Sequence, residues 1–353
     1  MIFEPIAECG RRWRRHLSGS SPASLPMLVL IMLLGMMSLA LPVQAETCEA
    51  GGDMDAATRS ALESTARRYF DMAARGDTAS LRQNAIPSVA TNFSGIETAV
   101  KDNQSNFAGA PATPRPPFLL QAQGAAPVPR AEFFCGVFGK SGQTAGSAVF
   151  VLPNLAPGNY GIVILDVAST KSAYTLSFVL QQQGTDWKLG GFYAKPAQVA
   201  GHDGNWLIQR GREFKTRGQV HNAWAYYLEA RDLLAPLPFM STLATDKLYD
   251  EAQSVQPSDL PTNGPVDLVA GGKTYKITSI FPLAVGNDLE LVVKYQSADV
   301  SNTGQTFQDN MAVTKALVAK YPEYRDAFAG IVARAVEPSG RDYGSLMPMK
   351  EIK

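Results

Sequence analysis

The sequence predicts an α+β fold: helices packed on a curved antiparallel sheet, then a helical hairpin, then a small C-terminal α+β domain. Three observations lead to this prediction. Residues 55–74 have the periodicity of an amphipathic helix, residues 173–193 alternate with the period of paired strands, and a second set of strand and helix patterns follows a proline-rich linker at 257–265. The connections between the first set of strands are too short for crossover helices, so we expect neighbouring strands to pair antiparallel.

The first 45 residues have the pattern of an export signal. Four arginines between residues 11 and 15 precede an apolar run at 27–41, and Val43 and Ala45 are small residues where a signal peptidase cuts. We therefore expect a cleaved signal peptide and a mature chain exported to the periplasm or the outside of a bacterial envelope. An uncleaved membrane anchor is the alternative, because the apolar run is close to the length that spans a bilayer.

The amino-acid composition indicates which classes of partner and cofactor to expect. The chain of 353 residues has 32 basic and 32 acidic residues, so its charge gives no reason to expect a nucleic-acid partner. Beyond the signal it has two cysteines and two histidines, too few for a convincing zinc site, and we expect no metal and no other cofactor. In an oxidising compartment Cys48 and Cys135 favour a disulfide, with one buried and one exposed thiol as the alternative.

The helices that cover the sheet come first in the chain. Asp55 can cap a helix that runs to about residue 74, where Gly76 ends it. The apolar stripe of this helix consists of Leu62, Ala66, Tyr69, Phe70 and Ala73. Shorter helices are expected at 78–88 and 96–103. Residues 118–121 are expected to form an edge strand, because the prolines nearby exclude a central position.

Five further segments have strand patterns. Residues 173–180 alternate between large apolar and smaller side chains, which predicts a half-buried strand, and 187–193 is its return strand, with a bulge at Gly190 and Gly191. A turn at 156–159 joins two other segments, which we expect to be neighbours in the sheet. These two are 147–152 and 160–168, and the fifth segment is 132–138.

The helix at 58–77 and the closing hairpin at 186–192, with its sequence Asp-Trp-Lys-Leu-Gly-Gly-Phe, resemble the NTF2-like (cystatin-like α+β) superfamily over residues 56–196. The resemblance implies a cone-shaped domain with a pocket between sheet and helix. Members of the superfamily include enzymes, small-molecule binders and interaction modules, so the fold does not choose the function.

Residues 203–235 have the pattern of two packed helices. The small residues Gly211, Ala223 and Ala230 allow the two helices to approach closely. The aromatic residues Phe214 and Tyr227 fill the space between them, and Gly218 turns the chain. This spacing resembles a single tetratricopeptide repeat, although Leu207, Arg210 and Ala235 depart from its usual residues. One hairpin cannot bury its own apolar face, so we expect it to pack on the preceding sheet or on the next domain, as a scaffold or as a peptide-binding groove.

These patterns divide the chain into four parts. They are a signal peptide at 1–45, an NTF2-like domain at 46–198, a helical connector at 199–256 and a C-terminal α+β domain at 257–353. In the last part the sequence predicts strands at 266–269, 275–281 and 289–295, a helix at 306–320, a strand or short helix at 328–336 and an edge strand at 345–349.

Few residues are candidates for chemistry. Asp166 lies within the apolar strand at 160–168, where a carboxylate in an apolar pocket would act as a base and one on the outer face would be structural. We expect His202 to be a surface or capping residue and His221 to be exposed to solvent. Four aromatic residues are candidates for a ligand pocket, with packing in the core as the alternative: Tyr160, Tyr174, Trp187 and Tyr193.

The function predicted from these patterns is that of an exported, non-enzymatic binding or interaction protein. It would take a protein partner or a small apolar ligand through the sheet–helix pocket or the helical hairpin. One alternative is a hydrolase or isomerase of the NTF2-like type that uses Asp166, and another is a structural component of envelope assembly. A closed pocket around Asp166 would favour the enzyme.

Overall fold

The described part of the chain comprises residues 46–138, 142–169 and 172–353. A computed structural model shows these residues as a mixed α+β protein with eight α-helices and antiparallel sheets, and the predicted signal peptide lies outside the described residues. Within those ranges, no helix combines the length and the apolar character needed to cross a bilayer.

The helices and strands fall into two sets that follow one another along the chain. The first contains β1 (Thr47–Ala50), α1 (Ala56–Ala74), α2 (Thr78–Gln83), α3 (Pro87–Thr91), α4 (Ser94–Phe107), β2 (Ala112–Pro114), β3 (Phe118–Ala122), β4 (Val128–Cys135), β5 (Ala148–Leu155), β6 (Gly158–Ala168), β7 (Ala173–Gln183) and β8 (Asp186–Pro196). The second contains β9 (Gln198–Val199), β10 (His202–Asp203), α5 (Gly204–Thr216), α6 (Val220–Leu234), β11 (Met240–Thr242), α7 (Leu243–Gln253), β12 (Val266–Ala270), β13 (Lys273–Val285), β14 (Asp288–Gln296), α8 (Thr303–Lys320), β15 (Gly330–Val336) and β16 (Asp342–Pro348), with 3-10 helices at Pro322–Asp326 and Met349–Glu351.

The first helix has the cap, the stripe and the end that the sequence predicts. The carboxylate of Asp55 accepts a hydrogen bond of 2.9 Å from the backbone N–H of Thr58. Gly76 follows the helix with a φ of 71°, a conformation that glycine adopts without strain. The whole predicted apolar stripe is buried against the six-stranded sheet described below.

The prediction of a single helix at 78–88 is wrong. The chain instead forms α2 and α3, separated by residues that pair with the edge of β8. Leu189 donates its N–H to the carbonyl of Asn84 (2.9 Å), and its own carbonyl accepts from Ile86 (3.0 Å). These strand-like bonds interrupt the helix, because the same backbone groups cannot serve both patterns.

The strands expected in one sheet form two. The larger sheet is antiparallel, in the order β1-β3-β6-β7-β8 with β2 also on β6, and the smaller has the order β11-β5-β4. The predicted pairing of 147–152 with 160–168 is therefore wrong, because β5 lies in the small sheet and β6 in the large one. The turn between them carries the chain from one sheet to the other.

Strand β3 is interior, and the edge position predicted for 118–121 is wrong. It lies between β1 and β6, with Cys48 opposite Leu120 on one side and Tyr160 opposite Leu120 on the other. The prolines near this strand fall outside the paired residues, so they do not prevent pairing on both sides.

Strand β7 is covered on both faces rather than on one. Leu176 and Phe178 face the helices, as the alternation predicts. Ser177, on the opposite face, is completely buried as well, and its hydroxyl lies 3.5 Å from the carbonyl of Pro236. The small sheet and the chain after α6 supply this second cover. The predicted bulge lies in β8, where the pairing with β7 skips Gly190.

The predicted disulfide between Cys48 and Cys135 is confirmed. Their α-carbons lie 5.0 Å apart. Because Cys48 belongs to β1 and Cys135 to β4, the bond joins the large sheet to the small one.

The C-terminal sheet has the order β12-β13-β14-β15-β16, with only the β14–β15 pair parallel. Helix α8 connects these two strands and covers one face. The segment at 328–336 is a strand, and β16 is the edge strand expected near 345–349. Helices α5 and α6 share one apolar core with this sheet, so they pack on the C-terminal part of the chain, one of the two places expected.

Candidate functional site

Asp166 lies on the surface. The guanidinium of Arg115 forms a forked ion pair with it, at 2.7 Å from Nη2 to Oδ1 and 3.1 Å from Nε to Oδ2. Its side chain is 54% exposed. No apolar pocket surrounds the carboxylate, so the position corresponds to the structural alternative rather than to a catalytic base.

The four aromatic pocket candidates are not brought together. Tyr174 and Trp187 belong to the core between the large sheet and the helices, whereas Tyr160 and Tyr193 belong to the core between the two sheets. The hydroxyl of Tyr174 accepts a hydrogen bond of 2.9 Å from Asn106 Nδ2, and the hydroxyl of Tyr160 donates one of 2.8 Å to the carbonyl of Ala156. The space predicted as a sheet–helix pocket is occupied by an apolar core that includes Trp187 and, packed against it, Tyr174.

His221 is not exposed to solvent as predicted. Its Nδ1 lies 2.6 Å from Glu323 Oε1 and its Nε2 lies 2.9 Å from Asp259 Oδ1, and only 12% of its side chain is accessible. The ring also packs on Tyr321, with centroids 4.4 Å apart. This cluster joins α6 to the linker and to the first 3-10 helix, and it leaves no free ring nitrogen for a ligand.

The candidate site is a cleft between α5 and the C-terminal domain. Two cavities of about 380 and 240 Å³ meet there, and both are lined by Trp206 and Tyr226. We call them the first and the second lobe. The volume of the first lobe falls within the range of small-ligand pockets, and the second lobe is smaller.

A tight turn places an imidazole on the wall of this cleft. Strands β9 and β10 are joined by Ala200 and Gly201, which both have positive φ angles, of 48° and 76°. The next residue, His202, lies flat on the indole of Trp206, with the ring centroids 3.6 Å apart and the planes 9° from parallel. His202 therefore orients an aromatic ring, and it is not the capping residue.

The cap of α5 is the following residue. The carboxylate of Asp203 accepts a hydrogen bond of 2.8 Å from the backbone N–H of Trp206. This cap fixes the first turn of the helix on which Trp206 stands. Trp206 remains 37% exposed, whereas Trp187 and Trp224 are 7% and 8% exposed. Trp206 is thus the accessible tryptophan among the described residues.

Tyr226 forms the floor of both lobes. Its ring lies 5.0 Å from that of Phe214, and its hydroxyl donates a hydrogen bond of 2.8 Å to the carbonyl of Ala327. Burial raises the pKa of Tyr226 to about 12, so the hydroxyl stays protonated and keeps this bond at physiological pH. The bond ties α6 to the C-terminal domain directly beneath the cleft.

Polar side chains surround the first lobe. Gln209, Arg210 and Glu213 come from α5, and Asp326 comes from the first 3-10 helix. Arg210 is engaged on two sides, by the carboxylate of Glu213 at 2.6 Å and by the ring of Phe214 at 4.5 Å from its centroid. In the second lobe, Asp288 and Ala200 are both lining residues.

Sequence reasoning missed this site, because its walls come from two distant segments of the chain, 199–226 and 287–329. Trp206 stands next to Leu207, which occupies the usual tryptophan position of the repeat and is fully buried, so the repeat pattern gives no role to Trp206. The turn sequence Ala-Gly followed by His, and a tryptophan in the first turn of a capped helix, were the signals present.

The described residues contain no group of three or more potential metal ligands. Comparison with protein-family models, with curated proteins and with solved structures finds no match to this chain.

Proposed function

We propose that the protein is an exported, non-enzymatic binding protein that holds a small ligand in the cleft around Trp206. The observation that supports this proposal is the exposed indole of Trp206, which is stacked against the imidazole of His202 and lines both cavities. Exposing a large aromatic surface to water is unfavourable, and an exposed aromatic side chain in a concave site is typical of ligand recognition.

The shape of the cleft supports binding without rearrangement. One wall is fixed by the Asp203 cap and the other by the bond between Tyr226 and Ala327. A ligand that enters a site of this kind loses little energy in ordering the protein.

In this proposal the N-terminal domain keeps the NTF2-like architecture and acts as a support. Its interior is filled, so the ligand site moves from the sheet–helix pocket to the helical connector. Lys195 at the end of β8 links the two regions: its Nζ lies 2.8 Å from a carboxylate oxygen of Asp232 in α6. Export is supported by the Cys48–Cys135 disulfide, since such bonds persist in oxidising compartments.

The test is a screen of small molecules for thermal stabilisation of the protein and of two variants. A ligand that binds only the native state raises the melting temperature. Trp206→Ala should abolish the shift. Phe307→Ala, which removes an aromatic ring of similar exposure (43%) from α8, should retain it. Compounds that stabilise both variants equally would place the binding site elsewhere and end the proposal.

A further inference from the structure

The indole of Trp206 lines both lobes and has two ring neighbours. His202, which lines the second lobe, is stacked on it, and the ring of Tyr226 lies 6.2 Å away, centroid to centroid, and is tilted by 40°. In the first lobe, which His202 does not line, the indole borders the cavity together with Gln209 and Asp326. A ligand in this lobe lies between an aromatic wall and the polar side chains of the rim.

The charges around the cleft are unbalanced. Arg210 is neutralised by Glu213, as described above. Asp326 accepts a hydrogen bond of 2.6 Å from the neutral amide of Gln219, and within the described residues neither Asp326 nor Asp288 forms an ion pair. Each lobe thus has one carboxylate without an ion pair among the described residues, and Trp206 lines both lobes.

We propose that the ligand of this cleft is an organic ammonium compound, bound in the first lobe with its cationic group against the indole of Trp206 and beside the carboxylate of Asp326. Tryptophan is the aromatic side chain that attracts cations most strongly. The carboxylate adds a charge-assisted hydrogen bond from the ammonium group. This inference rests on the proposed binding function and adds the chemical class of the ligand.

A neutral ligand, such as a sugar, would use the same aromatic face but would gain little from an unpaired carboxylate. The two classes therefore differ in their response to charge. Binding of an ammonium ligand weakens as salt rises, because the carboxylates are near the surface and are screened. Binding of a neutral ligand changes little.

The experiment uses the full chain and three probes: cadaverine, the neutral diol of the same length, 1,5-pentanediol, and maltose. Trp206 emission is followed during titration, and Trp206→Phe, which keeps a ring but removes this fluorophore, isolates its contribution from those of the other tryptophans. We expect cadaverine to change the emission of the wild type and pentanediol to leave it unchanged. Asp326→Asn should weaken cadaverine binding about tenfold, which corresponds to about 1.4 kcal/mol.

The outcomes separate the ligand class from the binding function. If maltose or pentanediol changes Trp206 emission and cadaverine does not, the ammonium class is wrong while the cleft remains a binding site. Equal affinity of the wild type and Asp326→Asn for cadaverine also overturns the assignment. If no probe changes the emission, the ammonium class fails, and the screen with Trp206→Ala decides separately on the cleft.

Discussion

Gly211 of α5 lies directly against the ring of Tyr227 of α6: a β-carbon on residue 211 would come within 2.7 Å of ring carbon Cε1. The contact allows the two helices to approach closely. Residue 227 is fully buried, so its ring cannot move into solvent to make room.

Gly211→Ala should therefore destabilise the protein by about 1–3 kcal/mol, as overpacking in cores does. The measurement is urea unfolding. Gly95→Ala is the matched control: this glycine is also helical, in α4, and nothing lies within 4 Å of its added β-carbon. That control should be neutral or stabilise by up to about 1 kcal/mol through helix propensity. Equal effects of the two substitutions would contradict the packing argument.

The comparison of sequence and structure shows what local patterns can predict. The stripe of α1 was predictable, because helical periodicity states which side of one element is buried. The alternating patterns of β5 and β6 do not indicate which strands are neighbours, so the prediction that these two strands pair with each other is wrong. Strand β5 pairs with β4 and with β11, which has only three residues and comes from a distant part of the chain, whereas β6 pairs with β3 and β7.

The candidate site was unpredictable for a related reason. Its floor, Tyr226, is tied to Ala327, and its rim residue Asp326 comes from a 3-10 helix about 100 residues away from α6. Nothing in the local sequence around His221 indicates the carboxylates of Asp259 and Glu323 on either side of it. Only the tertiary packing of α6 on the C-terminal domain creates both clusters.

The disulfide between the two sheets should contribute substantially to stability. Its removal by the double substitution of Cys48 and Cys135 with serine should lower the free energy of unfolding by about 2–5 kcal/mol, because the bond closes a long loop in the unfolded chain. Urea unfolding of the oxidised wild type, the reduced wild type and the double variant measures this. The reduced wild type should resemble the double variant. If all three unfold at the same urea concentration, the bond does not stabilise the fold.

Glu229 of α6 should make stability depend on pH. Burial, together with the nearby carboxylate of Asp232, raises the pKa of Glu229 to about 7, despite the opposing charge of Lys195. Its contribution to stability is complete below about pH 4.5, the value for the unfolded chain, and is lost as the pH rises through 7. Ionisation should cost at most about 3 kcal/mol.

Glu229→Gln removes this titration. We expect the variant to gain stability relative to the wild type between pH 5 and 8, and to show no gain at pH 4. Unfolding curves at several pH values give the difference directly. A gain that is independent of pH would mean that the substitution acts through packing or hydrogen bonding and not through the charge.

The turn that presents His202 contains a non-glycine residue, Ala200, in the left-handed conformation, with a φ of 48°. A side chain there costs about 1–2 kcal/mol, and asparagine followed by glycine is the sequence that such two-residue turns favour. Ala200→Asn should therefore raise the free energy of unfolding by about 1 kcal/mol. Binding in the first lobe should not change, because Ala200 lines only the second lobe. A loss of stability in this variant would show that the turn carries no strain.

His202 should control how far the indole of Trp206 is accessible to solutes in water. In the wild type one face is covered by the parallel imidazole, so a small neutral quencher reaches the ring mainly from the first lobe. His202→Ala should open the second face and raise the acrylamide quenching constant of the Trp206 component by about twofold, in proportion to the faces exposed. His202→Phe is the matched variant, since it restores a flat ring and should return the constant towards the wild-type value. If His202→Ala and His202→Phe give the same quenching constant, the ring at position 202 does not shield the indole of Trp206, and the turn at 200–201 does not orient it.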